Sequence, residues 1–134
     1  MGDAALDVTR TIVLWILVAV FVAMGVNHFR RGPARVMAKM IPPALRRERW
    51  PRPIDLVYVT GVCEILGGVG LAVPVTRAAA SVALIVFLIC VFPANVYASK
   101  HKETFGRAAI PFWPRLAGQV VLIALLAWVG FATV

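Results

Sequence analysis

A single carboxylate, Glu64, interrupts an otherwise apolar or small-residue stretch from Ile54 to Val73 that is long enough to cross a bilayer. A charge at that depth costs about 2.5–3.5 kcal/mol on insertion scales, so such acids face a protected interior and mark working sites. Gly61 and Gly68 lie three residues before and four after it, on the same helical face, and small residues there let a neighbouring helix approach. Proton handling and ligand contact both need this burial. So does a structural role, in which a protonated Glu64 bonds to Asn95, Tyr58 or a backbone carbonyl.

Other polar groups gather on one side of the apolar stretches. Asn27 and His28 close the first, Asp55 and Tyr58 open the second, Asn95 and Tyr97 finish the third, and Arg115 and Gln119 begin the fourth. Together they predict a polar recess leading from one membrane face toward Glu64, which a rise of about 1.5 Å per residue puts near the midplane. His28, beside Arg30 and Arg31, is read as complementing the C-terminal helix dipole, with proton relay as its alternative. Cys63 and Cys90 are the sole cysteines and His28 and His101 the sole histidines. No Cys-x-x-Cys pair and no spaced metal-ligand cluster follows, so neither a catalytic dithiol nor a metal site is expected.

These residues need a membrane bundle to position them. Of the 134 residues 61% are hydrophobic and the mean hydropathy is +0.87, well beyond the roughly 45–50% apolar content of soluble domains. Four spans, about 11–29, 54–73, 78–97 and 116–132, are bounded by Arg30-Arg31, by Pro51 and Pro53, by Pro74 to Arg77, by Ser99 to Lys102, and by Pro111 to Arg115. The runs are too long for strands and lack a two-residue alternation, which disfavours a barrel. An all-α, four-helix transmembrane bundle forming one domain over 1–134 is expected. The first span exceeds a signal-peptide core and lacks a small-x-small cleavage site, so it reads as a retained helix.

Charge gives an orientation. Eight Lys and Arg residues, from Arg30 to Arg52, lie between the first two spans, and Lys100, Lys102, Arg107 and Arg115 lie between the last two. Arg10 and Arg77 alone fall on the opposite side. The positive-inside rule then places the basic connectors in the cytoplasm and both termini outside, in a bacterial inner membrane. The net charge of +8 is local to one face, so anionic lipid headgroups are the expected partner and nucleic acid is not. Within the first connector, Val36, Met37, Met40 and Ile41 recur opposite Arg35 and Lys39, which predicts a short interfacial helix lying apolar side down.

Four segments, Gly25-Val26-Asn27-His28-Phe29, Ile41-Pro42-Pro43, Tyr58 to Gly68 with its Gly-x-x-Glu, and Val91-Phe92-Pro93-Ala94-Asn95, resemble the DoxX family of small four-helix membrane proteins. Arg115 and Gln119 look like that family's Arg-x-x-x-Gln ending. The resemblance implies a membrane subunit associated with oxidoreductase assemblies and a quinone as its ligand, with a partner supplying the chemistry, since the chain carries no self-contained catalytic motif. Its site residues would be Glu64, His28, Asn27, Tyr58, Asn95, Gln119 and Arg115. The alternatives are a noncatalytic lipid-binding or assembly module and an oligomeric small-solute or proton transporter.

Overall fold

A backbone surrounded by lipid must satisfy its own hydrogen bonds, and the long apolar runs do so as helices. The computed structural model describes residues 2–50, 52–101 and 111–131, and no strand occurs among them. Helix α1 covers Gly2–Asn27, α2 Arg31–Met40, α3 Pro53–Ala72, α4 Arg77–Ser99 and α5 Phe112–Phe131, with a 3-10 turn at Pro43–Leu45. Four of these helices, all but α2, are long and apolar enough to cross a membrane. Pro51, Lys102, Arg107 and the end of the expected fourth span at Ala132 lie outside the described residues.

Two helices start earlier than the hydropathy pattern implies. α1 begins at Gly2 rather than Thr11, because Ala4, Ala5 and Leu6 favour helix and Arg10 pairs with Asp7 at 3.0 Å one turn away. Polarity ends the apolar span there without ending the helix. α5 begins at Phe112, so Pro114 falls in its first turn, where a missing N–H leaves no intrahelical bond unmade.

The remaining ends are fixed by identifiable groups. At the start of α3 the Asp55 carboxylate accepts the Arg52 backbone N–H at 2.8 Å and pairs with its guanidinium. At its end, the Thr76 hydroxyl donates to the Gly70 carbonyl and Arg77 Nε to that of Leu71, both at 2.8 Å. Thus Asp55, one of the polar residues of the expected recess, serves as a helix cap. Arg46 performs the same task for α2, donating to the Lys39 and Ile41 carbonyls at 2.9 Å. Its guanidinium also lies over the Tyr97 ring, tying the connector to α4.

The spans form a ring in which α1 packs on α3 and α5, and α4 on α3 and α5, while α2 lies mainly against α3. Gly67 and Gly70 of α3 approach Leu84 and Ala80 of α4 respectively. That reversed register makes the two helices antiparallel neighbours. The dry core occupies the end distant from the basic connectors: Leu14, Leu17 and Phe21 of α1 meet Leu71 of α3, Leu84 and Leu88 of α4, and Leu126 and Val129 of α5. Within this core Ser81 is fully buried and donates to the Leu126 carbonyl, filling the space that Gly130 leaves open. Ser81→Ala should therefore cost about 1 kcal/mol, and Ser81→Leu, which collides with Gly130, about 2–3 kcal/mol. Thermal unfolding in detergent measures both, and equal melting for the two variants would contradict this packing.

α2 is amphipathic, and its covered side takes in Met37, Met40 and Ile41 of the expected stripe but not Val36. Ala34 and Ile41 are buried, Met37 and Ala38 are half-buried, and Val36 is exposed. The helix turns this stripe toward α3 and α4 because the bundle end offers apolar partners there.

Candidate functional site

α1 and α3 touch through glycine. A Cβ at Gly61 would stand 2.6 Å from His28 Cβ and 3.0 Å from the Gly25 carbonyl, and one at Gly25 would stand 2.8 Å from the Gly61 carbonyl. Only hydrogen on both sides permits this crossing. Gly68, two turns further on, meets Val22 and Phe21. The stripe Gly61, Glu64 and Gly68 therefore faces α1, as their shared helical face predicts.

The crossing brings His28 Nε2 to 2.8 Å from Glu64 Oε2, with both side chains about nine-tenths buried. The contact has ion-pair distance but lacks the alignment of a hydrogen bond, leaving Oε2 without a directional partner among the described residues. On the other side of the ring, Nδ1 lies 2.9 Å from the Val57 carbonyl. A carbonyl only accepts, so Nδ1 carries a proton. The Thr60 hydroxyl stands 3.1 Å from Nδ1 and donates to the Leu56 or Val57 carbonyl, each at 2.9 Å.

This tautomer constrains the chemistry. With Nδ1 protonated, a proton placed in the 2.8 Å contact sits on either Nε2 or Oε2. On nitrogen it makes an imidazolium beside a carboxylate; on oxygen it makes a neutral imidazole beside a carboxylic acid. With such a proton in place the pair carries no net charge, the arrangement that suits apolar surroundings. His28 thus reaches into the bundle instead of acting only at its own helix terminus. Thr60 is not among the residues the sequence singles out, although its position one turn before Glu64 is a usable signal.

The contact lies near one end of α1. His28, just past the last residue of α1, is level with Gly61, so the first two turns of α3 project beyond α1. Glu64 lies only three residues further, about 4.5 Å along the helix. It is close to the end of α1.

Two of the other expected site residues pair with each other. Arg115 Nη1 donates to Asn95 Oδ1 at 3.1 Å, joining α4 to α5. Tyr58 stacks on Phe29 with centroids 5.5 Å apart and planes 5° from parallel. The Asn27 and Gln119 side chains are half-buried and make no hydrogen bond among the described residues. These contacts are distinct from the one between His28 and Glu64. Cys63 and Cys90 are free and exposed on the outside of the bundle, and no His, Cys, Asp or Glu cluster suited to a metal occurs among the described residues.

Beyond the aromatic pair lies an open groove of about 770 Å³, lined by Phe29, Arg31, Arg35, Ala38, Lys39, Ile54 and Tyr58. Phe29 belongs to both places, because its ring also rests against the Gly61 backbone.

Four apolar membrane-length helices around such a pair define an integral membrane protein of the helical-bundle class. The chain belongs to the family described as Domain of unknown function (DUF8561), whose model matches residues 17–130. Neither the curated proteins nor the solved structures contain a match.

Proposed function

We propose that this chain is a membrane subunit that uses the His28–Glu64 pair to hold and exchange one proton with a membrane-soluble ligand, while a partner oxidoreductase supplies electrons. The observation that carries the reading is the buried contact between Nε2 and Oε2, in which Oε2 lacks a directional bond. A buried polar atom in that condition fits a hydrogen-bonding headgroup. The DoxX resemblance supports a quinone, whose reduction by the partner consumes protons. In this chain Glu64 and His28 would hold a quinone oxygen, Val57 and Thr60 would fix the imidazole, and Gly25 and Gly61 would keep the two helices close enough for the pair to form. The basic connectors are assigned to the cytoplasmic side of a bacterial inner membrane, with α2 at the interface and both termini outside.

The test is quinone retention after gentle purification. Wild-type protein should retain quinone, and Glu64→Gln should retain about 10–100-fold less, the loss expected from one charge-assisted bond of about 1.5–3 kcal/mol. The amide can still donate to neutral His28, so the helical fold should persist. Quinone absent from the wild type, or equal in both proteins, defeats the reading.

A further inference from the structure

The groove at the basic end has a composition that the proton site does not explain. Arg31, Arg35 and Lys39 recur every fourth residue along α2 and line one wall. All three side chains are exposed, and none forms a hydrogen bond or ion pair among the described residues. Like charges at this spacing repel along a helix. The first turn of α2 also lacks an acidic residue, and its N-cap makes no side-chain bond, so nothing there offsets the positive end of the helix dipole.

The facing wall is apolar. The parallel Phe29–Tyr58 stack and Ile54 present flat hydrophobic surface to the cations across the open groove. Its position, between the end of α1 and the start of α3, matches the level where hydrocarbon gives way to headgroups. A free anion would use only the cationic wall, whereas a lipid would use both.

We propose that this groove is a binding site for one anionic phospholipid. Its phosphodiester lies among Arg31, Arg35 and Lys39, and its glycerol and upper acyl carbons lie against Phe29, Tyr58 and Ile54. The site shares only Phe29 with the surroundings of the His28–Glu64 pair and does not depend on the proton reading.

Native mass spectrometry of the full chain, with phosphatidylglycerol or phosphatidylcholine added in detergent, tests the assignment. Phosphatidylglycerol should be retained in preference to phosphatidylcholine. Arg31→Gln/Arg35→Gln should weaken that retention about 25-fold, at about 1 kcal/mol or fivefold per cation. Arg47→Gln/Arg49→Gln removes equal charge from exposed connector residues outside the groove and should change retention less than threefold. Tyr58→Ala should weaken binding while Tyr58→Phe preserves it, and circular dichroism checks that each variant remains helical. Equal loss in the two arginine pairs would reduce the effect to general surface charge and overturn the site. So would the absence of preference for phosphatidylglycerol, or its displacement by millimolar inorganic phosphate.

Discussion

Gly61→Ala is expected to destabilise the bundle by about 2–3 kcal/mol, and Gly61→Leu by more, as overpacking at a rigid contact does. The added methyl meets His28 Cβ at 2.6 Å, the Phe29 ring at 2.9 Å and the Gly25 carbonyl at 3.0 Å. A flexible side chain could swing away, but a Cβ and a carbonyl move only with the backbone. α1 must therefore shift as a unit, carrying His28 away from Glu64. Gly118→Ala is the matched control, since nothing lies within 4 Å of the added carbon. It should change stability by no more than about 0.5 kcal/mol. Gly25→Ala should resemble Gly61→Ala, and the double variant should cost less than the sum, because the first methyl already separates the surfaces that the second would strike. Detergent melting that ranks Gly61→Ala beside Gly118→Ala would remove the glycine crossing from the fold.

Much of this arrangement is legible in the residues. The lengths of the apolar runs and their charged or proline-containing borders imply four helices, and the Gly61-Glu64-Gly68 spacing identifies the face that turns inward. Gly25 is harder to read, because its importance comes from a partner 36 residues away and not from its neighbours in the chain. The same limitation affects His28. Adjacent arginines suggest a helix-end role, yet depth on α1 and depth on α3 cannot be compared until the two helices are put in register. Asn95 and Arg115 pose the same difficulty, since a shared polar half of the bundle does not say which residues pair. They meet across α4 and α5, while Glu64 meets His28 across α1 and α3. For α2, helical periodicity finds the cations and, in Met37, Met40 and Ile41, much of the covered side, but not Ala34, which fits against the bundle better than its hydrophobicity alone suggests.

Glu64→Leu and His28→Leu should each destabilise the protein by about 3 kcal/mol, whereas the double replacement should cost less than either alone. Each single change leaves one polar partner in an apolar crossing, and breaking a buried pair costs about 3–5 kcal/mol chiefly through that stranded group. Removing both leaves nothing stranded, and replacement of a buried pair by apolar side chains is often neutral or favourable. His28→Leu keeps the Cβ that contacts Gly61, so the helix crossing survives in the double variant. The cycle should therefore yield a coupling of at least about 3 kcal/mol. Additive losses would mean that His28 and Glu64 act separately and that no proton is held between them. Glu64→Gln completes the comparison, because its amide N–H can donate to neutral Nε2 while holding no exchangeable acid. A variant that melts near wild type but fails to retain quinone would assign the acid to function, whereas wild-type retention would leave the pair as a structural fastening between α1 and α3.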